Sequence, residues 1–527
     1  MVLGMDNLPS VDLPRLGASP RDLTPLLKSN DTPLPSDIPF IRDIVSREEN
    51  RLDALNDQIQ NLQAKLAQLT RMRDETAESV RQHRSVLHPV RCVPPEILCE
   101  IFALVLLSAD EDSMARATAP WRLGLICRSW RQAALSYPLL WCSITPHSFP
   151  ASDPLVMMDT QLLRSSNAPL VVSWQGDQPV DFRLLPLVVV HCDRWRTLRL
   201  SSPFASFHSM LDWLLPATGR LAQLETLEMI IRLHKVDIFS TAPALRQLVL
   251  TDREFQMTSP QIDIPWGQIT HYRARYELWH QLSKILKRAS ALVECAVKIT
   301  ERPPLHGQNM ILLPHLQRLD IDGSTILNHL EAPSLHTLSS RHTPGPLLGE
   351  HLPFIQRSGC SLTRLVLTGC EVSFELITLL QGLPALAYLR LECPIHPPHW
   401  SSPEPQATLF DALTLTGTSE ICPNLTSFLY GYYPDTESKD PEFFGSSFSR
   451  MVQSRSIEVH AEIPQDPMST RPSPLQFLRV FELVESRVPP PADLVTSLET
   501  LRDGGIDAAF LNHSDSENLR VQHNFFI

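Results

Sequence analysis

Apolar positions change their period along this chain, and each period predicts a different element. From Val45 to Leu69 they follow a heptad, with Val45, Leu52, Ile59 and Leu66 at one core position and Leu55, Leu62 and Leu69 at the other. Asp, Asn, Gln, Arg and Lys fill the positions between. That narrow stripe predicts a helix over 41–88 with a coiled-coil seam, free to pair with a second copy or to lie on the protein's own body. Over 93–141 short apolar groups at helical spacing follow prolines. Val93-Pro94-Pro95-Glu96-Ile97-Leu98-Cys99-Glu100-Ile101-Phe102 starts one helix, and Ile126, Trp130 and Ala133 share a side of a second that ends at Tyr137-Pro138.

From residue 195 the unit becomes Leu-x-x-Leu-x-Leu. It appears as Trp195–Leu200, Leu224–Met229, Leu245–Leu250, Leu316–Ile321, Leu335–Leu338, Leu362–Leu367 and Leu386–Leu391, with weaker copies at Ile269 and Cys295 and later ones at Leu425–Phe428 and Leu475–Leu478. Centres from Leu198 to Leu389 lie about 19 to 29 residues apart, the period of leucine-rich repeats. Each Leu-x-Leu pair is expected to point inward from a short parallel strand, the residue between them outward. Helices are expected between strands at Phe204–Leu215, Trp279–Ala289, Leu347–Ser358 and Phe374–Leu380, with earlier elements at Asp159–Ser166 (helix) and Pro169–Trp174 (strand). Leu494, Leu498 and Leu501 predict a last helix, stopped at Gly504-Gly505 before a closing strand, Ile506–Phe510. The fold class is therefore α/β: a helical coil and a small all-α segment, then a leucine-rich-repeat-like α/β solenoid. The expected domains are a disordered leader over 1–40, the helix over 41–88, the all-α segment over 89–145, the solenoid over 146–510 and a cap or tail over 511–527.

Composition narrows the function. Apolar residues make up 43% and charged residues 20% of the 527, as in globular proteins, while seven prolines in residues 1–40 mark the leader. A net charge of −12 argues against nucleic acid or an anionic membrane as partner. No apolar run is long enough to span a bilayer and no signal peptide opens the chain, so a cytoplasmic or nuclear protein is expected. The ten cysteines form no zinc-ligand spacing; Cys99 and Cys127 are expected as small buried hydrophobes. No phosphate loop, dinucleotide fingerprint, HExxH or nucleophile elbow occurs. His191-Cys192-Asp193 are consecutive and cannot converge on one atom. No enzyme, cofactor or metal is expected.

The residues of 93–141 resemble an F-box: Val-Pro-x-Glu-Ile-Leu-x-x-Ile-Phe, then Ile-Cys-x-x-Trp-Arg, then Pro-x-Leu-Trp, over roughly a tenth of the chain. Val93 stands where leucine is usual. The connection Leu106–Trp121 is longer and more acidic than usual, a form seen in F-box proteins of mushroom-forming fungi. The resemblance implies a substrate receptor of an SCF (cullin-RING) ubiquitin ligase. Pro94, Ile97, Leu98, Ile101, Phe102, Ile126, Cys127, Trp130, Leu140 and Trp141 would bind the adaptor subunit, and through it the cullin. The repeats would hold a target protein, with Glu225, Glu228, Arg246, Arg318, Asp320, Arg364 and Arg390 as the outward charged set. The alternative is a repeat scaffold that assembles through its coil and touches no ligase.

Overall fold

The computed structural model describes residues 23–107, 120–146, 153–174, 184–201, 211–230, 236–251, 262–276, 278–299, 310–341, 348–393, 404–416, 420–432, 445–456, 473–483, 490 and 492–516. The chain divides into two units, 1–94 and 95–527.

The first unit is dominated by one helix. A short turn, α1 (Thr24–Lys28), lies inside the segment expected as disordered leader. The long helix α2 (Ile38–Val86) starts three residues before the expected boundary, with Pro39 in its first turn where a missing N–H costs nothing. Its 49 residues hold no glycine and no other proline, so it runs unbroken for roughly 73 Å. No residue of α2 is buried.

The second unit opens with α3 (Pro95–Leu107), α4 (Leu123–Ile126), α5 (Arg128–Ser136) and a 3-10 turn, Pro138–Trp141. The second helix of the sequence reading is thus broken in two. Cys127 is extended (φ −155°, ψ 172°) and caps α5, its Sγ accepting the Trp130 N–H at 3.5 Å. A residue in that role faces water, so Cys127 is exposed rather than a buried hydrophobe.

A fourteen-stranded parallel sheet follows, with strands β1 (Ser143–Ile144), β2 (Leu170–Trp174), β3 (Trp195–Leu200), β4 (Thr226–Ile230), β5 (Gln247–Thr251), β6 (His271–Tyr276), β7 (Glu294–Ile299), β9 (Arg318–Asp322), β11 (Thr337–Arg341), β12 (Arg364–Thr368), β13 (Tyr388–Glu392), β14 (Ser427–Tyr432), β15 (Phe477–Glu482) and β16 (Asp507–Leu511). Spatial order is chain order, except that β8 (Ile311–Leu312) and β10 (Leu330–Glu331) pair with each other outside it. Since β1 pairs with β2, the sheet starts within the segment expected to be all-α.

Register explains the repeating hexads. Leu198, Leu227 and Leu248 stand side by side, as do Leu319, Leu338, Leu365 and Leu389, then Phe428 and Leu478. All are buried in one continuous apolar core. Crossover segments cover that face of the sheet, among them α6 (Pro154–Arg164), α7 (Leu185–Val189), α8 (Trp279–Arg288), α9 (His351–Ser358), α10 (Phe374–Gln381), α11 (Glu404–Leu413), α12 (Gly445–Ser454) and α13 (Ala492–Asp503). The early helix is Pro154–Arg164 rather than Asp159–Ser166 because Asp153 caps it through the Leu155 N–H at 3.1 Å. Gly505, at φ +84°, turns the chain from α13 into β16. Part of the helix expected at Phe204–Leu215 and the terminal residues beyond 516 lie outside the described residues.

A buried arginine ties the crossovers together. The Arg455 guanidinium donates to the carbonyls of Leu413 (2.8 Å), Ile421 (2.7 Å) and Cys422 (3.0 Å). Burial pulls its pKa down to about 10, which leaves it cationic at neutral pH.

Candidate functional site

The helical module of α3, α4, α5 and the 3-10 turn sorts its apolar residues by face. Leu98 and Phe102, one turn apart on α3, are buried where α3 packs on α5 and the turn, as are Ala133 and Ala134 of α5 and Leu140 and Trp141 of the turn. The rings of Phe102 and Trp130 lie 4.9 Å apart, and Trp121 meets Trp141 edge-on at 5.0 Å. The Trp141 indole N–H donates to Ala134 O at 2.8 Å, so the aromatic core carries no orphaned donor there. Arg131 Nε holds the Gly124 carbonyl at 2.8 Å, tying α4 to α5.

The module is anchored on the sheet unit. The Arg164 guanidinium of α6 sits over both the Trp141 and Trp121 rings, at 4.5 and 5.1 Å, and burial lowers its pKa. Gln161 of α6 donates to Ser143 O at 2.6 Å, beside the first strand.

The ten residues that the resemblance assigns to adaptor binding therefore split. Leu98, Phe102, Leu140 and Trp141 are internal and Trp130 is half-buried. Pro94, Ile97, Ile101, Ile126 and Cys127 face water. Pro94 immediately precedes α3, at the end of the first unit. The structure adds residues that the motif did not single out. Leu104 (66% exposed) and Val105 extend Ile97 and Ile101 into an apolar stripe along α3, and α4 exposes Leu125 (69%). Their signal was present in the composition of α3, where from Ile97 to Leu107 only Glu100 is polar, more apolar positions than one buried face needs. Most of the acidic connection Leu106–Trp121 lies outside the described residues.

A second candidate surface is the sheet face opposite the core. From β3 to β7 its middle row reads Arg199, Glu228, Val249, Arg273 and Ala296 in register. The small side chains of Val249 and Ala296 leave a depression of about 260 Å³ around Arg273, bordered by His271, Glu294 and Arg318. Charges along its rim are matched, Arg199 with Glu228 and Arg318 with Glu294, each at 3.3 Å. Burial lowers the Arg273 pKa, while Asp320, Glu228 and Glu294 hold it up.

Two of the expected outward charges do not face water. Asp320 is 4% and Arg390 1% exposed. Arg390 pairs with Glu392, two residues along the same strand face, at 2.5 and 2.9 Å. Around it a second apolar cluster of Leu429, Phe481 and Leu483 occupies the far end of this face, with Tyr388, Phe477 and Leu511 at its edge. The Arg390 guanidinium lies 5.4 Å from the Phe481 ring, Arg364 3.7 Å from Tyr388 and Arg479 4.0 Å from Phe477.

All seven seam residues of α2 are exposed, by 44–66%. Arg73 and Arg81 form exposed pairs with Asp74 and Glu78. Among the described residues no cluster of metal-ligating side chains occurs and no helix is long and apolar enough to cross a membrane. Compared with models of known protein families the chain matches none, and no curated protein is found to be similar to it.

Proposed function

We propose that the chain is an F-box substrate receptor, docking on the adaptor subunit of an SCF (cullin-RING) ubiquitin ligase and presenting a target held on its leucine-rich-repeat solenoid. The observation that carries this reading is the apolar stripe Ile97, Ile101, Leu104 and Val105, exposed on a helix whose opposite side closes over Leu98 and Phe102. A helical module that keeps tryptophans inside and aliphatics outside has the composition of an interface centre. The sheet face around Arg273 supports the second half of the reading, since its depression and matched charges offer a target both shape and polar partners. Ubiquitin transfer would fall to other subunits, this chain contributing proximity by raising the effective concentration of the target.

A direct test is capture of the adaptor subunit by the full chain, wild type beside Ile97→Asp/Ile101→Asp, with the exposed Leu312→Asp on β8 as control. Loss in the stripe variant alone supports the reading; equal capture by all three removes it. The second reading is a scaffold that assembles through α2 without a ligase, favoured by the exposed seam. Absence of adaptor capture by a wild-type chain that forms oligomers would select it.

A further inference from the structure

The heptad of α2 carries charge at core positions as well as leucine. Extending the register one step beyond the leucines places Glu48 in the seam just before Leu52, and Arg73 in it just after Leu69. Val45 and Ile41 continue the seam on one side, Thr76 and Val80 on the other. Glu48 and Arg73 are 59% and 72% exposed. Their contacts within the helix are water-facing pairs, Glu48 with Arg51 at 3.8 Å and Arg73 with Asp74 at 2.6 Å, which exchange readily for better partners.

The placement discriminates between orientations. Two parallel copies in register would set Glu48 against Glu48 and Arg73 against Arg73, like charges inside the seam. Two antiparallel copies can align Leu52 with Leu69 of a second copy, Leu55 with Leu66 and Ile59 with Leu62, keeping every layer between 52 and 69 apolar. In that same register Glu48 meets Arg73, Val45 meets Thr76 and Ile41 meets Val80. Two-fold symmetry repeats each pairing, so the charge match occurs twice per dimer. The complementarity lies between residues of this one chain, which identifies the occupant as a second copy.

We propose that α2 pairs antiparallel with α2 of a second copy, in the register that sets Glu48 against Arg73. This deepens the self-association reading and is independent of adaptor docking. The two α2 C-termini then leave at opposite ends of the pair, so that two receptors share a spacer rather than a common face.

Sedimentation equilibrium of the full chain tests the proposal with Glu48→Arg, Arg73→Glu and the double variant, each checked for unchanged helicity. The expected result is a wild-type dimer, each single variant raising the dissociation constant about tenfold or more, and the double variant returning toward wild type. Singles and double all indistinguishable from wild type would overturn the antiparallel orientation while leaving self-association standing, since in a parallel pair each swap exchanges one like-charge layer for another. A wild-type monomer would overturn both. A mixture of Ile41→Cys and Val80→Cys chains gives a second readout: the linked peptide joining positions 41 and 80 is expected on oxidation, and its absence in a dimer counts against this register.

Discussion

The indole N–H of Trp141 donates to the backbone carbonyl of Ala134 at 2.8 Å, across seven residues and entirely within the module core. That bond fixes the 3-10 turn on α5 while the ring supplies the area that α6 covers through Arg164. Trp141→Phe keeps most of the area and orphans the carbonyl, at about 1–3 kcal/mol. Trp141→Ala opens a cavity as well and costs about 3–5 kcal/mol. Amide exchange across α5 is the measurement, with a rise of about tenfold or more expected for the phenylalanine variant while β12 and β13 keep their protection.

Arg455 donates to three buried carbonyls, of which that of Cys422 also accepts the Leu425 N–H at 3.1 Å. Arg455→Met fits the volume but removes every donor, and a loss of about 3–5 kcal/mol is expected. Arg455→Lys restores the charge without the planar fork and recovers only part of it. Thermal unfolding of the two variants beside wild type distinguishes a hydrogen-bonding role from a packing role: equal midpoints for methionine and arginine would rule the former out.

Gly431 is glycine for want of space. A Cβ there would lie 2.6 and 2.8 Å from carbons of the Phe481 ring and 2.9 Å from Leu483. Gly431→Ala is expected to cost about 1–3 kcal/mol through overpacking. Adding Phe481→Leu, which withdraws the ring, should make the alanine cheaper than it is alone; strictly additive costs in a denaturant series would refute the steric account.

Thiol chemistry offers a map of the interior. Burial pushes the Cys295 and Cys422 thiols up to about 12 and Cys142 to about 11, while Cys92 and Cys127 are exposed. At pH 8 iodoacetamide is expected to label Cys92 and Cys127 first and Cys295 and Cys422 only after unfolding, as read by mass spectrometry. The linkage has a sign. A thiol whose pKa is higher folded than unfolded holds its proton better in the native state, so its contribution is complete below about pH 9 and is lost as pH rises toward about 12.

The strands were legible because alternation at Leu198, Leu227, Leu365 and Leu389 repeats one physical demand, an inward pair on a short parallel strand. The end of the sheet was legible for a similar reason, with Gly505 supplying the one left-handed turn needed. What escaped were single-residue effects. Cys127 breaks a helix whose apolar spacing reads as continuous, because a thiol is a poor and uncommon cap. Arg390 holds the outward position between Leu389 and Leu391 but is buried there, its charge compensated by Glu392 two positions along the same strand face. Val366 and Leu429, apolar at middle positions, already announced that this end of the opposite face is covered. In α3 the motif named both sides of one helix together, and only burial separates Leu98 and Phe102, which hold the module, from Ile97 and Ile101, which are available to a partner.

The order of the sheet has a mechanical consequence. Each strand of the ladder is bonded only to strands next to it in that ladder, so no strand threads between earlier ones and none is needed to hold a distant pair. Tension applied at one end therefore peels the ladder one rung at a time, and the remaining rungs keep their register. An insertion between two rungs lengthens a crossover without disturbing either neighbour, which is how 44 residues can separate the end of β14 from the start of β15 while Ser427 still faces Phe477.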